Sequence, residues 1–223
     1  MAKAENILIT GATGMVGHQV LKLLLQKDGV KKVVSISRNP TGLNDPRLTE
    51  IFHDNFMDFR SVANDLKEID ICFYCLGVYQ GGVQKDKFFE ITCDYQRALT
   101  DVLADESPEA TFVLFGAQGA DPTEKNLATF AKAKGRAENL LSETAFPRKF
   151  IFRPGYIFPT GIRQPKNLLY KIFGGIVGLL RRFDLSSAHS DQDLAKAMVI
   201  AAFNDERAFN IFEEPDIKRI ARS

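Results

Sequence analysis

The chain has 223 residues, of which 45% are hydrophobic and 26% charged, a balance typical of one large globular domain. The formal net charge of +1 gives no indication of a nucleic-acid partner. Three cysteines and an N-terminus unlike a signal peptide predict reduced thiols and a cytoplasmic protein, and the apolar stretches are too short or too interrupted to favour a membrane partner.

Five short apolar runs recur along the chain, with helical patterns between them. They are rich in Val, Ile and Phe and span residues 6–10, 33–37, 70–75, 111–115 and 149–153. Runs of this kind are typical of strands buried on both faces of a parallel sheet. Crossover helices are predicted at 15–27, 86–105 and 124–145, with a weaker strand at 47–53 and a short helix at 58–66. This alternation predicts an α/β, Rossmann-like, doubly wound parallel sheet with helices on both faces.

A glycine-rich turn, TGATGMVG at residues 10–17, follows the first strand and opens the first helix. A helix N-terminus presents unpaired N–H groups and a partial positive charge, which suit a pyrophosphate. Gly11 permits the tight turn, Gly14 lets the backbone approach the phosphates, and Gly17 allows close helix–strand packing. The spacing is one residue longer than G-x-G-x-x-G, but its context predicts dinucleotide binding. The other residues of this turn assigned to the cofactor are Thr13, Met15 and Val16.

The end of the second strand bears on the choice of cofactor. A protein that selects NAD places an acid about 20 residues past the glycines, to bond the ribose 2′-hydroxyl. The chain reads SISRNP there and has no acid. Arg38 can form a bidentate bond to a 2′-phosphate, and Ser35 or Ser37 can add a hydroxyl. The alternative is that Arg38 is only a solvated arginine before Pro40. The missing acid and the arginine favour NADP as the cofactor.

Two further patterns in the chain are given structural interpretations. Cys72 and Cys75 have C-x-x-C spacing, but inside a strand this spacing places them on opposite faces, so buried packing is favoured and no metal site is predicted. His189 precedes a predicted helix for which Ser190 or Asp191 is a plausible N-cap, and the histidine is interpreted as an exposed loop residue.

The last third of the chain departs from the regular alternation. Helices are predicted at 166–182 and 191–203, and a late strand at 208–212. Ligands of doubly wound folds bind outside the carboxyl ends of the strands, so we expect one domain, 1–223, in which residues 155–205 form most of a substrate-side cap. This small C-terminal part is expected to be irregular. Its stretch YKIFGGIVGLL is compatible with a substrate lid, a homodimer face or core packing.

Several segments fall in the order found in a known family. They are SRNP, DICFYCLG, FGAQGAD, AKAKGRAE and FRPGYIFPTG. With TGATGMVG, they resemble the atypical or extended branch of the short-chain dehydrogenase/reductase superfamily, which is similar to NAD-dependent epimerases and dehydratases. Taken together, they look like the Tat-interacting-protein-like oxidoreductases, small single-domain members of that branch. The resemblance covers most of the chain and implies a Rossmann-like fold, a nicotinamide cofactor and a small-molecule substrate.

The resemblance also implies further contacts with the cofactor. Asp54 matches an acid that bonds the adenine amino group, and Leu76 and Gly77 match residues that pass alongside the two riboses. Pro154 and Gly155, in the RPG sequence, match a turn that borders the nicotinamide end. The alternatives are that Asp54 only caps the helix that follows it and that RPG only terminates a strand.

The catalytic positions depart from the pattern of the family. Its members use a serine, a tyrosine and a lysine four residues beyond the tyrosine, which supply a proton donor, a second hydrogen bond to the substrate oxygen and a cation that lowers the pKa of the donor. Lys134 stands at the lysine position, but Phe130 stands at the tyrosine position, and the serine positions are Gly116 and Ala117. Lys134 alone can still bond the nicotinamide ribose.

This loss leaves two classes of function open. An oxidoreductase would need another proton donor, for which Tyr79 and Tyr156 are candidates, or a flavin or quinone substrate that takes its proton from water. The alternative for each tyrosine is a cleft wall. The second class is a non-catalytic protein that senses NADP(H) and informs a partner through the C-terminal region. The family resemblance favours the enzyme, and the missing hydroxyls favour the sensor.

Overall fold

The computed structural model describes residues 4–78, 82–160 and 188–223. Nine strands lie in these ranges: β1 (Asn6–Thr10), β2 (Lys32–Ser37), β3 (Leu48–Phe52), β4 (Ile71–Tyr74), β5 (Thr111–Phe115), β6 (Arg148–Phe152), β7 (Tyr156–Phe158), β8 (Ala188–Ser190) and β9 (Phe209–Phe212). The largest sheet has the order β3-β2-β1-β4-β5-β6-β9, and all its neighbouring strands are parallel. The predicted doubly wound parallel sheet is confirmed.

The strands are apolar along their whole length because both faces of the sheet are covered. Ile7 and Ile9 point into one core cluster together with Phe73, whereas Leu8 and Cys72 point into a second cluster on the opposite face. All five side chains are fully buried. Strand periodicity therefore places successive residues in different cores, and each core needs apolar groups.

Six α-helices occur in the described ranges: α1 (Met15–Gln26), α2 (Lys85–Phe89), α3 (Tyr95–Glu106), α4 (Thr129–Ser142), α5 (Asp191–Asn204) and α6 (Glu214–Ala221). A 3-10 helix spans Arg60–Leu66, and a π-helical turn at Glu90–Asp94 joins α2 to α3. Helices α1, α5 and α6 cover one face of the sheet, and α3 with the 3-10 helix covers the other. None of these helices has the length and apolarity that a bilayer crossing requires.

Helix α4 begins at Thr129, later than the predicted start at 124, because the preceding segment is folded around Asp121. The carboxylate of Asp121 accepts the backbone N–H groups of Thr123 and Asn126 at 3.0 and 2.7 Å. Such local bonds from an aspartate offer the backbone an alternative to helix. The helical pattern of residues 124–128 is thus overridden by a side chain.

Three elements were absent from the sequence analysis. Strands β7 and β8 form a separate parallel pair in which Tyr156 lies opposite Ala188. Helix α6 begins with two acids and a proline and ends with basic residues, a charge order that suits the helix dipole, but its apolar pattern is short. The helix predicted at 166–182, YKIFGGIVGLL and Tyr79 all lie outside the described residues.

The start of α5 confirms one prediction about this region and corrects another. The Ser190 hydroxyl accepts the backbone N–H of Asp193 at 2.9 Å and caps the helix, as expected. The interpretation of His189 as an exposed loop residue is wrong, because its side chain is 2% exposed. Strand β8 pairs with β7, and Nε2 of His189 lies 2.9 Å from the carboxylate of Glu214 without the geometry of a hydrogen bond.

Helix α4 crosses the segment before it in very close contact at Gly135. A Cβ added to Gly135 would lie 1.9 Å from the carbonyl oxygen of Asp121, which is backbone and cannot rotate away. The Asp121 N–H donates to the Ala131 carbonyl at 2.9 Å and holds the crossing in place. Glycine is therefore required here for space inside a helix that would otherwise favour alanine.

We predict that Gly135→Ala destabilises the protein. The intrinsic helix preference for alanine contributes up to about 1 kcal/mol, but overlap with fixed backbone typically costs about 1–3 kcal/mol or more, so the net change should be a loss in urea unfolding. Gly82→Ala is the control, because its added Cβ would have no atom within 4 Å. Equal stability of the two variants would contradict the close crossing.

Candidate cofactor and active site

The turn between β1 and α1 is built by two close backbone contacts. Gly11 has a φ of +73°, and a Cβ there would lie 2.4 Å from the carbonyl oxygen of Cys75 at the end of β4. A Cβ on Gly17 would lie 2.3 Å from the carbonyl oxygen of Gly11. Side chains at either position would push the helix away from the sheet. The tight turn predicted at Gly11 and the close packing predicted at Gly17 therefore have a direct geometric basis.

The N-terminus of α1 is open to a ligand. Gly14 is the N-cap residue, has extended backbone and provides no side-chain cap for the helix. It is exposed, whereas the side chain of Val16 is 2% exposed and belongs to the core. The side chains of Thr13 and Met15 are half-buried. A phosphate docked here would thus meet backbone N–H groups rather than side chains.

The strand order determines where the two halves of a dinucleotide lie. Strand β1 sits between β2 and β4, so the glycine turn lies at the point where the order of the strands reverses. Ligands of doubly wound sheets bind in the crevice at this point. With the pyrophosphate at the start of α1, one nucleotide half extends over β2 and β3, and the other extends over β4, β5 and β6.

On the adenosine side, Arg38 is exposed directly after β2. The Ser37 hydroxyl donates to the carbonyl oxygen of Asn39 at 2.6 Å and so holds the turn that carries Arg38. Ser35 lies inside the strand, and its buried hydroxyl has no hydrogen-bond partner in the described part of the chain. Of Ser35, Ser37 and Arg38, the exposed arginine is the best placed to reach a 2′-phosphate. The bond from Ser37 stays a prediction.

Asp54 lies at the same edge of the sheet as Arg38. Ser37 pairs with the last residue of β3, and the N–H of His53 donates to the Ser37 carbonyl at 3.0 Å. The Nε2 of buried His53 lies 2.8 Å from the carbonyl oxygen of Asn55, and because a carbonyl only accepts, Nε2 carries the proton. The loop is thereby fixed, and Asp54 is exposed on it. Its contact with adenine stays a prediction.

Lys134 lies on the other side, at the carboxyl ends of β4 and β5. It lines a small cavity together with Tyr74, Leu76, Thr92, Leu114, Phe115, Gly116 and Ala137. Burial lowers the pKa of Lys134, while the neighbouring Cys93 thiol and Glu138 carboxylate act in the opposite direction. The ammonium group of Lys134 is thus poorly solvated. Two predicted cofactor residues are close to it: Leu76 lines the cavity, and the exposed Gly77 follows Leu76.

The same cavity contains a hydroxyl that the sequence analysis missed. Tyr74 is 1% exposed, and its phenol has no hydrogen-bond partner among the described residues. Burial raises its pKa well above the ordinary value, so the phenol keeps its proton. Its position as the last residue of β4, a strand otherwise made of apolar residues, was the available signal.

The positions of the missing catalytic groups differ in the space around them. Phe130 is half-buried one helical turn before Lys134 and packs on Phe88, with ring centroids 6.2 Å apart. A Cβ on Gly116 would lie 3.0 Å from the Phe152 carbonyl oxygen, which leaves little room for a serine. Ala117 is half-buried and already carries a Cβ. Of the two serine positions, 117 is the one that can accept a hydroxyl.

The RPG turn after β6 is held by acids from distant parts of the chain. The Arg153 guanidinium donates to Glu138 on α4 and to Glu213, and these bonds raise its pKa. The N–H of Gly155 donates to the Glu214 carboxylate at 3.0 Å. Pro154 is buried between these anchored residues. Sequence reasoning missed all three acids, because their partners are 15 to 60 residues away.

The remaining candidates are placed as follows. Tyr156 is half-buried on β7, directly after the RPG turn, whereas Tyr79 is outside the described residues. Cys72 and Cys75 point into opposite cores, as predicted, and burial raises the pKa of Cys75 to about 12. In ranges 4–78, 82–160 and 188–223, no group of three or more metal-ligating side chains comes together.

Comparisons with known proteins identify the family to which the chain belongs. The model of the NAD(P)H-binding family matches residues 11–168, from the first glycine of the turn past the RPG sequence. The chain is 29% identical over 179 residues to "Protein FMP52, mitochondrial" of Debaryomyces hansenii, which covers 77% of the chain and 76% of that relative. It is 27% identical over 177 residues to "Protein HTATIP2" of Rattus norvegicus, which covers 77% and 72%.

Among solved structures, the fold is similar to that of a short chain dehydrogenase family protein from Francisella tularensis. The two share 18% sequence identity with a TM-score of 0.71, and the alignment covers 95% of this chain and 98% of that one. At this identity the likeness concerns the fold alone.

We predict that Lys134→Met stabilises the protein and weakens cofactor binding. Methionine has a similar length and removes the cost of burying a charge, so stability should rise by about 1 kcal/mol, or ~2–4 °C in melting temperature for a domain of this size. NADPH affinity should fall roughly 10-fold or more, because the bonds to the ribose are lost. Lys132→Met, on the same helix, is the control and should change neither quantity.

The stability difference should also depend on pH. Because the pKa of Lys134 is lowered in the folded protein, the unfolded chain binds more protons between that value and the ordinary 10.5. Wild-type stability therefore rises with pH through this window. The advantage of Lys134→Met in thermal unfolding should narrow as the pH approaches 10.5. An advantage that is constant or grows would contradict the buried charge.

Proposed function

Since the chain belongs to the NAD(P)H-binding family, among the atypical short-chain dehydrogenase/reductases, we propose that it is an NADPH-dependent oxidoreductase with a non-standard site. Its substrate would be a small hydrophobic or redox-cycling molecule. The observation that carries the proposal is the position of Lys134, whose cavity lies at the carboxyl ends of β4 and β5 beside the glycine turn. A partly desolvated lysine at this edge suits the hydroxyls of a cofactor ribose.

Each part of the site has one task in this proposal. The open start of α1 holds the pyrophosphate, Arg38 the 2′-phosphate, and Lys134 the ribose of the nicotinamide. The cofactor supplies the hydride. The chain itself supplies orientation, and its buried strands exclude water from below the nicotinamide.

The preference for NADP over NAD is supported by charge at the end of β2. No acid follows this strand within SRNP, and Arg38 is exposed there. A guanidinium in this position favours a phosphate over a hydroxyl because it can donate two parallel bonds.

The proton donor is the open part of the proposal. Tyr79 and Tyr156 are the candidates from the sequence, and Tyr74 is the phenol that lines the Lys134 cavity. A quinone or flavin substrate would need none of them, because its reduced form takes a proton from water.

A second function is favoured by the absence of hydroxyls at positions 116, 117 and 130. Removal of a general acid typically costs about 10²–10⁴-fold in rate, so a protein that keeps the cofactor cleft and loses the acid is suited to report the NADP(H) state to a partner. A homodimer is one arrangement for such a sensor. We further propose a cytoplasmic location, which fractionation must test because the relative from Debaryomyces hansenii is named mitochondrial.

Arg38→Ala should weaken NADPH binding selectively. Loss of one charge-assisted bond is on the order of 1.5–3 kcal/mol, which corresponds to roughly 10- to 150-fold in Kd, while NADH affinity should barely change. Calorimetric titration of both cofactors measures this. Arg97→Ala is the control, because Arg97 is exposed on α3 with only a loose pair to Asp101 at 4.0 Å.

Three results of that titration would overturn different parts of the proposal. Wild-type protein that binds neither cofactor would remove the cofactor site. Wild-type preference for NADH would remove the assignment of NADP. Equal losses for NADPH and NADH in Arg38→Ala would show that the arginine does not read the 2′-phosphate.

The double variant Phe130→Tyr, Ala117→Ser should create or raise carbonyl reduction by NADPH. It returns a proton donor and a second hydrogen bond to the edge beside Lys134, at positions that are half-buried and tolerate small additions. We expect NADPH affinity to be unchanged and stability to shift by no more than ~1–1.5 kcal/mol. NADPH oxidation with a panel of carbonyls measures the gain, and Ala117→Ser alone is the control. A folded, NADPH-binding double variant without activity would make the sensor the preferred function.

A further inference from the structure

The turn at 153–155 is anchored more heavily than a strand terminator requires. The N–H of Arg153 donates to the Phe212 carbonyl on β9 at 2.9 Å, and the Pro154 carbonyl accepts the N–H of Gln118 at 2.9 Å. The N–H of Gly155 donates to Glu214 at 3.0 Å. Three parts of the chain therefore fix three successive residues, and the turn has no freedom to adjust on its own.

The anchor at Gly155 is a buried carboxylate. Glu214 is 8% exposed, and its Oε2 lies 2.9 Å from Nε2 of His189, which is 2% exposed. A charge in such a place is expensive unless it is paired and hydrogen-bonded, and an apolar residue would commonly pack at lower cost. Glu214 also begins α6, whose helix dipole favours a negative charge at that end. In this position the Glu214 carboxylate serves as the acceptor for the backbone N–H of Gly155.

The turn lies beside the nicotinamide half of the proposed site. Phe115 pairs with Phe152, so β5 and β6 end at the same level, and the N–H of Gly116 donates to the Phe152 carbonyl at 2.9 Å. Gly116 lines the Lys134 cavity. Residues 153–155 therefore continue the edge on which Lys134 lies, on the side of the glycine turn away from Arg38.

The helix that carries Lys134 is tied to the same place. Glu138, one turn after Lys134, accepts two bonds from Arg153, and its side chain is 3% exposed. Arg153 in turn donates to Glu213 at 2.9 Å. The two acids at the start of α6 thus hold the turn at both ends, Glu213 through the side chain of Arg153 and Glu214 through the backbone of Gly155.

We infer that Glu214 is a positioning residue of the cofactor site, which sets the backbone of the turn against which the nicotinamide half of the cofactor binds. The inference rests on the proposed binding of NADP(H). It assigns to helix α6 a task in cofactor binding, carried out through the contact of Glu214 with Gly155. Glu214 acts through Gly155 and touches no reacting atom.

The test separates the two halves of the cofactor. NADPH contains the nicotinamide, whereas 2′,5′-ADP contains only the adenosine half with its 2′-phosphate. Glu214→Ala removes the acceptor of the Gly155 N–H and should weaken NADPH binding roughly 10-fold while it leaves 2′,5′-ADP within about twofold. Glu214→Gln keeps an amide oxygen as acceptor, so it should weaken NADPH binding by only about threefold and leave the binding of 2′,5′-ADP unchanged. The fluorescence of bound NADPH should change in both variants.

Asp216→Ala is the matched control on the same helix, because Asp216 pairs only with exposed Arg219 in the described contacts. It should leave both affinities unchanged. Equal weakening of NADPH and 2′,5′-ADP, or no weakening of either, in a folded Glu214→Ala variant overturns the inference. If Glu214→Ala does not fold, Glu214→Gln decides, and an unchanged NADPH affinity in that variant overturns it. Wild-type protein that binds neither ligand would instead overturn the proposed function.

Discussion

The contact between two backbones, Gly11 against the Cys75 carbonyl, is the constraint on which the site depends. It brings the loop after β1 to the end of β4 with no side chain between them, and Gly17 on α1 packs in turn against the Gly11 carbonyl. Together these contacts aim the uncapped start of α1 over the edge of the sheet. Every other functional group is useful only because it lies at this same edge. A parallel sheet provides that arrangement, because all its strands end on one side.

Around that fixed point, the two halves of the cleft are held by different means. The adenosine half uses local bonds, such as that from the Ser37 hydroxyl to the Asn39 carbonyl. The nicotinamide half uses bonds between distant segments, of which Arg153 to Glu138 and Gly155 to Glu214 are the clearest. Local bonds form with their own loop, whereas distant bonds require that the whole sheet be assembled.

This difference explains which elements and site residues could be predicted from the sequence and which could not. Buried strands, the first helix and the glycine turn leave local patterns, so the parallel sheet and the place of Gly11 and Gly17 were predictable. His189, Glu138 and Glu214 carry no such pattern, because their burial comes from partners in other elements. Helix α6 could not be predicted for the same reason. It has few apolar residues, and Glu214, its first residue, is buried against the RPG turn. The late start of α4 shows the converse case, in which the Asp121 side chain overrides a helical pattern.

The anchoring of the RPG turn by α6 has a consequence for folding during synthesis. A ribosome releases the chain from the N-terminus, and segments fold as their partners emerge. The glycine turn needs partners only as far as Cys75, whereas the RPG turn needs Glu214, which lies 59 residues beyond Gly155. A nascent chain can thus form the proposed phosphate-binding turn before the proposed nicotinamide-binding turn. Helix α6 therefore completes the RPG turn only after the glycine turn has formed.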